Sequence, residues 1–191
     1  LRLTVPGVPD LYQGTELWDF SLVDPDNRRP VDFRLRMDAL RSENQPAAAL
    51  LPDWRDGRIK QALIARLLAV RKREPRLFAE GSYEPLAASG PRAEHIVCFL
   101  RRLEHAALLV VAPRWMAQPL LGATMPGIPA SFWEGTTIVL PEALRDRSAR
   151  NLLNDDAPIG AGALTRLLSP LPLAVLELRR EIGRASCRER V

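Results

Sequence analysis

TVPGVPDLYQGTELWDFSLVDPDNRRPVDF, residues 4–33, is the most informative stretch of this 191-residue sequence. It continues a short apolar strand that we predict over residues 1–5, and the turn formers of residues 6–10 end that strand. The loop that follows has no sustained period, and Pro30 is predicted to open the next helix. Because a strand, a loop and a helix in this order make one unit of an α/β barrel, we expect functional residues on the loop.

Two helices are predicted between this loop and residue 80. Apolar residues recur at helical spacing over residues 33–40. A stronger helix is predicted in DGRIKQALIARLLAVRKREP, residues 56–75, with Asp56 as its N-terminal cap. Its apolar stripe consists of Ile59, Leu63, Leu67 and Val70. The basic residues 71–73 lie in the last turn, where we expect a solvated helix end that complements the helix dipole.

The hydrophobic period changes from helical to alternating after Gly81. Strands are predicted over residues 82–87, 94–102, 106–112, 136–140, 150–153 and 173–178, with a short helix over residues 162–168. Consecutive strands without long helices between them are typical of an antiparallel sheet or sandwich. The predicted fold class is therefore α/β plus β. Residues 1–80 are expected to form the last strand, loop and helices of an eight-stranded (β/α) barrel, and residues 81–180 an antiparallel β-sandwich-like C-terminal domain.

Composition and charge exclude several classes of function. The sequence contains 27 basic and 23 acidic residues, a net charge of +4, and so small a surplus does not indicate a nucleic-acid-binding protein. No apolar run approaches the ~18 residues that a membrane span needs, so no membrane partner is expected. Cys98 and Cys187 could form one disulfide at most and lack the spacing of a metal site, which favours a reducing cytoplasm.

The last residues, 181–191, are treated separately. From Ile182 the sequence IGRASCRERV has neither periodicity nor turn signals, and it follows a predicted strand that is complete. It resembles the translation of a sequencing-adapter oligonucleotide, so we interpret it as a non-native tail and exclude it from the functional argument. The sequence also starts at Leu1 in the middle of a predicted strand, which leads us to expect the C-terminal part of a longer protein.

Two adjacent blocks resemble a known enzyme family. Residues 4–20, TVPGVPDLYQGTELWDF, and residues 21–33, SLVDPDNRRPVDF, are similar to the eighth strand and following loop of the α-amylase superfamily barrel. Within that superfamily they most resemble the maltooligosyltrehalose synthase family. The resemblance continues through DGRIKQALIARLLAVRKREPRLFAEGSYEPL, residues 56–86, and covers nearly all of residues 1–180. From about Pro91 onward it rests on the strand pattern alone.

The resemblance implies an intramolecular transglycosylation. The family converts the reducing-end α-1,4 linkage of maltooligosaccharides into an α,α-1,1 linkage, which yields maltooligosyltrehalose in trehalose biosynthesis. A carboxylate nucleophile and a carboxylic acid act in a retaining mechanism that needs no metal or organic cofactor. The family places these carboxylates on earlier barrel strands, so no residue of this chain is expected to be catalytic. The chain alone is expected to be inactive and to need the missing N-terminal part of its own barrel.

Candidate substrate-binding residues lie in the loop. A mutase has to hold the cleaved glucose and keep water away, so fixed polar contacts and aromatic walls are expected. We expect Asp26, Asn27, Arg28 and Arg29 to lie closest to the sugar, with Tyr12, Gln13 and Glu16 next. A structural alternative is that the arginines pair with Asp24, Asp26 or a carboxylate upstream of this chain and hold the loop. Residues 24–27 lack the ligand spacing of a calcium loop, and an Asx-type turn is expected instead.

Aromatic and sulfur-containing side chains have both functional and structural interpretations. Tyr12 and Trp18 offer apolar faces to a sugar, but Trp18 is also suited to packing under the barrel rim. Trp115 and Trp133, in a Pro- and Gly-rich stretch between strands, are expected to cover the core of the β domain. Cys98 alternates with the apolar residues on its strand, which predicts a buried and unreactive thiol.

Two other functions fit the same sequence. Another glycosidase or glucanotransferase of the α-amylase superfamily would share the loop after the eighth strand. Residues 81–180 could instead form a non-catalytic carbohydrate-binding module. Against that alternative, aromatic residues make up 6% of the sequence and are scattered, whereas a sugar platform needs exposed rings in one plane.

Overall fold

The β part of the chain is built around an antiparallel sheet, with helices before it in the sequence. The computed structural model describes residues 1–41, 46–145, 147–154 and 164–179. Its helices are α1 (Phe33–Arg41), α2 (Arg58–Arg73), α3 (Pro75–Ala79), α4 (Glu142–Arg145) and α5 (Leu164–Leu167). Its strands are β1 (Ser82–Pro85), β2 (Ala88–Ser89), β3 (Ile96–Leu103), β4 (Ala106–Pro113), β5 (Thr137–Ile138), β6 (Ser148–Asn151) and β7 (Ala174–Arg179). The predicted mixture of helices with an antiparallel sheet is confirmed.

The main sheet has the strand order β1-β3-β4-β7-β6, and every pair in it is antiparallel. Strands β3 and β4 form a hairpin, closed by a turn in which Glu104 has a φ of +53°. The short strands β2 and β5 form a separate ribbon. Each predicted strand after Gly81 overlaps an observed one, whereas β2 was missed because two residues are too few to show a period.

Both faces of the main sheet are covered, which explains why β3 and β4 are almost continuously apolar. One face packs against α2 and α3 through Phe99, Leu108, Val110 and Val175. The other face packs against α5 and the segment around Trp133 through Leu100, Leu109, Val111 and Leu176. Helices, and not a second full sheet, therefore cover one face, which differs from the predicted sandwich-like domain. The reason is that α2 has an apolar stripe of its own to bury, and the sheet offers the matching surface.

The predicted strand at residues 1–5 is wrong. The backbone turns there, and the N–H groups of Thr4 and Val5 both donate to the Leu1 carbonyl, at 2.8 and 3.0 Å. A strand needs a neighbour to take up its N–H and C=O groups, and none of the described strands pairs with this segment. Leu3 and Thr4 are nevertheless buried, so the segment packs inward without pairing.

Helix α1 begins later than predicted, and its apolar residues are exposed. The Asp32 carboxylate accepts the N–H of Leu35 at 2.9 Å, so Asp32 caps the helix in the place expected for Pro30. None of the residues of α1 is buried. Its predicted apolar positions, Phe33, Met37 and Leu40, are between 48% and 52% exposed. The spacing of these residues did predict a helix, but not the surface that covers its apolar face.

Helix α2 follows the prediction except at its N-terminus. Three residues of its predicted stripe are buried, and Leu63 is partly buried. Gly57 occupies the N-cap position with a φ of +82°, while Asp56 accepts the N–H of Arg58 at 2.9 Å. A Cβ at Gly57 would lie 2.8 Å from the backbone nitrogen of Trp18. The position requires glycine because its φ is left-handed and because the loop lies directly against it.

The basic last turn of α2 is not uniformly solvated. Arg71 is partly buried, and its guanidinium donates to the carbonyls of Leu3 and Gly7 at 3.0 and 3.1 Å. The guanidinium also lies 4.6 Å from the centre of the Phe78 ring, and burial lowers the pKa of Arg71. The prediction of a solvated helix end is therefore wrong for Arg71, because the N-terminal turn brings carbonyls within its reach. It is confirmed for Lys72, which is exposed.

The predictions for single residues of the β part have mixed outcomes. Cys98 is a free thiol with 5% exposure, and burial raises its pKa to about 11, as expected for an unreactive cysteine. Trp133 is fully buried in the core, as predicted. Trp115 is 63% exposed, contrary to the prediction. The Arg114 guanidinium lies 4.1 Å from the centre of its ring, so a cation rather than the core covers this indole.

The predicted non-native tail, residues 181–191, lies outside the described residues together with Cys187. Within the described part of the chain, every helix is too short or too polar to serve as a membrane span.

Candidate functional site

An open cavity of about 460 Å³ lies in the loop that leads to α1. Its polar lining includes Gln13, Asp19, Ser21, Asp26, Asn27, Arg29, Asp32 and Arg36. Trp18 and Phe20 add aromatic surface. Carboxylates, amides and guanidinium groups together supply the acceptors and donors that bind sugar hydroxyls, and aromatic faces suit the apolar side of a sugar ring. The cavity is therefore the candidate functional site of this chain.

The cavity gathers some of the predicted site residues and leaves others out. Gln13, Asp26, Asn27 and Arg29 line it. Tyr12, Glu16 and Arg28 are not among its lining residues. Tyr12 is 69% exposed on the surface. Arg28 forms an ion pair with Asp24, and Glu16 forms one with Arg36. The cavity therefore includes three of the four residues expected closest to the sugar and one of the three expected next to them.

Asp26 organises the turn that carries the predicted arginines. Its Oδ2 accepts the N–H of Leu22 at 2.8 Å, and its Oδ1 accepts from Nη2 of Arg29. In an Asx-type turn the Asp26 carboxylate would accept an N–H from a residue that follows it, but here the donor, Leu22, precedes it by four residues. The expected Asx-type turn is therefore not formed by Asp26. Arg28 pairs with Asp24, and the two arginine side chains remain 74% and 76% exposed. The structural alternative is therefore realised for both arginines, while Arg29 also lines the cavity.

Trp18 supplies an aromatic wall that is fixed in place. Its Nε1 donates to the Trp54 carbonyl at 2.6 Å, and the two indoles meet edge to face with centres 6.4 Å apart. The ammonium of Lys60 lies 5.3 Å from the centre of the Trp18 ring and donates to the Leu17 carbonyl at 2.9 Å. Trp18 nevertheless remains 38% exposed. It packs against Trp54 and still presents surface to the cavity, so both interpretations of this residue stay predictions.

Two charged groups at this site have shifted pKa values. Burial is the main cause that lowers the pKa of Lys60, and the nearby carboxylates of Asp19 and Glu16 act in the opposite direction. Hydrogen bonds from Ser21 lower the pKa of Asp19; the Ser21 N–H donates to its Oδ1 at 2.9 Å. Asp19 is therefore ionised at neutral pH, whereas the general acid of a glycosidase needs a raised pKa. The arrangement is suited to bind hydroxyl groups rather than to supply a proton.

Arg36 is a lining residue that the sequence did not reveal. It lies on α1, yet only 18% of its side chain is exposed. Its Nη1 donates to the Asp32 carbonyl at 3.0 Å, and its Nε lies 3.2 Å from the Glu16 carboxylate. No spacing rule links Arg36 to a residue 20 positions earlier. Asp32 had a usable signal, since an aspartate just before a helix is a frequent cap.

The carboxylates of the cavity are engaged by protein groups. Asp26 is held by Arg29, Asp19 by Ser21, and Asp32 by the N–H of Leu35. Among the residues that the structure describes, no three His, Cys, Asp or Glu side chains are grouped so that they could hold a metal ion.

The chain is similar to named proteins along most of its length, although no protein-family model matches it. It is 37% identical over 176 residues to a protein of Mycobacterium tuberculosis (strain CDC 1551 / Oshkosh) that is named as a maltooligosyl trehalose synthase. The alignment covers 92% of this chain and 19% of that protein.

Solved structures give the same result. The structure of maltooligosyltrehalose synthase from Arthrobacter ramosus matches with a TM-score of 0.66 at 34% identity, over 92% of this chain and 20% of that chain. A crystal structure of another maltooligosyl trehalose synthase matches with a TM-score of 0.62 at 26% identity and the same coverage. This chain spans about a fifth of the length of the relatives that it matches, which fits a C-terminal segment. The resemblance predicted from residues 4–33 is confirmed.

Proposed function

We propose that this chain, a homologue of maltooligosyltrehalose synthases over 92% of its length, is the C-terminal part of an intramolecular transglycosylase. In the proposed reaction the reducing-end α-1,4 linkage of a maltooligosaccharide is broken. The released glucose stays bound, and its anomeric hydroxyl attacks the glycosyl-enzyme intermediate, so that an α,α-1,1 linkage forms. No water is consumed, and substrate and product are isomers.

The polar cavity is the observation that carries this proposal. It lies within the segment by which the sequence resembles the family, and it brings together amide, carboxylate and guanidinium groups on several sides. A mutase differs from a hydrolase in that it has to retain the cleaved glucose while that sugar turns over. We infer that Asp26, Asn27 and Arg29 bind the hydroxyls of this glucose and that Trp18 faces its ring.

Residues 1–80 are proposed to be the closing part of the catalytic barrel, with residues 81–180 as the C-terminal domain. The exposed apolar residues of the first part support this. Val8, Phe20, Leu22 and Val23 are between 77% and 95% exposed, and the apolar residues of α1 are about half exposed. Apolar surface of this extent marks an interface, and we infer that the rest of the same barrel covers it.

The catalytic carboxylates are proposed to lie outside this chain. The cavity carboxylates support this, because Asp19 has a lowered pKa and Asp26 is paired with Arg29. Asp19 is therefore not suited to protonate a leaving group. The chain alone is therefore expected to produce no sugar product from maltopentaose.

The test uses the parent enzyme, which we define as the longer protein of which this chain is proposed to be a segment. With maltopentaose it is expected to form a non-reducing isomer. Glucose or maltose as the main product would instead identify a hydrolase of the α-amylase superfamily and overturn the proposal.

A substitution then connects the activity to the cavity. Arg29→Ala is expected to raise the share of turnovers that end in hydrolysis, because the cleaved glucose is held less firmly. Arg34→Ala is the matched control, since its side chain is 90% exposed on α1 and does not line the cavity. An Arg29→Ala enzyme with an unchanged product ratio would remove this loop from the mechanism.

A further inference from the structure

Arg36 holds the turn around Gly14 from the side of α1. Its Nε lies 3.2 Å from the Gly14 carbonyl oxygen and 3.2 Å from the Glu16 carboxylate, and its Nη2 donates to the same carbonyl. The Glu16 carboxylate in turn accepts the Gly14 N–H at 3.0 Å. Side chains therefore hold both the N–H and the C=O of Gly14. We call Gly14, Glu16 and Arg36 the Gly14 clasp.

The backbone at Gly14 has little room to adopt another shape. Its φ is +92°, in the left-handed region that favours glycine. A Cβ at this position would lie 2.8 Å from Cγ2 of Val31, so the neighbouring segment packs directly against the turn. The clasp thus fixes a turn that is already enclosed on one side.

The clasp is connected to the buried part of the chain. The side-chain amide of Gln61, on α2, donates to the Arg36 carbonyl at 2.9 Å, and Gln61 is 6% exposed. Hydrogen bonds between a guanidinium and a carboxylate are stronger than neutral ones, and this pair is shielded more than most surface pairs. Hydrogen bonds therefore connect α2, through Arg36, to the Gly14 turn.

The geometry points to Glu16 and Arg36 as positioning residues that act on the sugar through the Gly14 turn. The turn presents Gln13, the residue before Gly14, to the cavity. Glu16 was expected to touch the substrate, but its carboxylate is engaged by the clasp and is not among the lining residues. This inference rests on the proposed function for its effect on the reaction, and on the hydrogen bonds alone for its effect on the turn.

Hydrogen exchange of the Gly14 amide in the 191-residue chain tests the clasp and needs no measurement of enzyme activity. Glu16→Ala is expected to speed this exchange about tenfold or more, because the amide loses a charged acceptor. Glu16→Gln keeps an oxygen acceptor and is expected to retain most of the protection. Arg34→Ala, on the same helix, is expected to leave the exchange unchanged. An unchanged rate in Glu16→Ala would overturn the clasp.

The parent enzyme tests the positioning role. Glu16→Ala and Arg36→Lys are both expected to raise the hydrolysed share of turnovers, while the KM for maltopentaose changes by less than about threefold. Lysine cannot replace the planar fork that reaches both acceptors. A raised KM with an unchanged product ratio would indicate direct substrate contact and overturn the positioning role. If the unsubstituted parent enzyme forms no trehalose-ended product, the proposed function fails, and the amide exchange still decides the clasp.

Discussion

Arg101 donates from Nη1 to the carbonyl of Thr4 at 3.1 Å, a hydrogen bond between residues 97 positions apart. Arg101 lies on β3 and is 1% exposed. Its other donors reach the carbonyls of Leu77, Phe78, Gly81 and Ser82 at 2.9 to 3.1 Å. The last carbonyls of a helix have no partner within it, and here a buried guanidinium supplies one for the end of α3. One side chain therefore joins the sheet, α3 and the N-terminal turn.

Arg101→Met is expected to lower the free energy of unfolding by about 3–5 kcal/mol, because several buried carbonyls lose their donor at once. Urea denaturation of the 191-residue chain measures this. Arg102→Met is the matched control, one residue along the same strand. The Arg102 side chain is 41% exposed and pairs with Glu84 at 2.7 Å, and a surface pair of this kind contributes about 1 kcal/mol or less. Equal losses for the two variants would contradict the role assigned to Arg101.

Gly57→Ala is expected to destabilise the chain and to displace the loop at Trp18. Gly57 has a left-handed φ, and its Cβ would meet the Trp18 backbone at 2.8 Å. Gly122 has nearly the same φ, +80°, with nothing within 4 Å of the added Cβ. Gly122→Ala therefore measures the backbone strain alone, about 1 kcal/mol. We expect Gly57→Ala to cost more than Gly122→Ala in thermal unfolding, and equal costs would show that the loop does not lie against Gly57.

The sequence predicted those elements whose partners lie within the described chain. Strands β3 and β4 are nearly continuous apolar runs that pair with each other across a short turn, so the local sequence was enough to place them. The stripe of α2 was likewise readable, since the sheet that buries it follows in the same chain. Residues 1–5 have the composition of a strand but no partner strand among the described residues, and composition alone does not supply one.

The candidate site was predicted in position but only partly in detail. Except for Arg36 on α1, the residues that line the cavity lie in the stretch of residues 4–33 that the sequence singled out. The contact between Glu16 and Arg36 was not predictable, because it joins a loop to a helix residue 20 positions later in the sequence. Local pattern gives the type of residue available at a site, whereas contacts distant in sequence decide which of them face the ligand.

The Cys98 thiol is expected to resist modification at pH 8. Burial raises its pKa to about 11, so only about one molecule in a thousand carries the reactive thiolate at that pH. A Cys187→Ser variant leaves Cys98 as the thiol that is measured. We expect no reaction with a disulfide reagent in the native chain and one thiol per chain in denaturant. Rapid labelling of the native chain would contradict the burial of this strand.

The same shift predicts a loss of stability in alkaline solution. The unfolded thiol ionises near its ordinary pKa of 9.0, whereas the folded thiol stays protonated until about pH 11. Because the unfolded state releases the proton first, stability is lost between these values, by about 2–3 kcal/mol from this group. Urea denaturation from pH 8 to 11 measures the loss, and Cys98→Ala is expected to remove this contribution. An identical pH dependence in both proteins would show that Cys98 does not cause it.

Substitutions on the exposed face of α1 are expected to affect the stability of this chain and that of the parent enzyme differently. Met37 and Leu40, on the apolar face of α1, are 48% and 49% exposed. Replacing both by glutamate is expected to change the stability of the chain by less than about 1 kcal/mol and to reduce binding of a hydrophobic dye. Leu67→Glu is the control on α2, where the side chain is 8% exposed and a buried carboxylate is expected to unfold the chain.

In the parent enzyme the same two substitutions are expected to be strongly destabilising. There the face of α1 is proposed to pack against the rest of the barrel, so each new carboxylate would have to be buried without a partner, at a cost of several kcal/mol. Thermal unfolding of the parent enzyme and of the double variant measures the difference. A parent enzyme that tolerates both substitutions as well as the isolated chain does would mean that α1 faces solvent in both. Residues 1–80 would then not close the barrel in the way we propose.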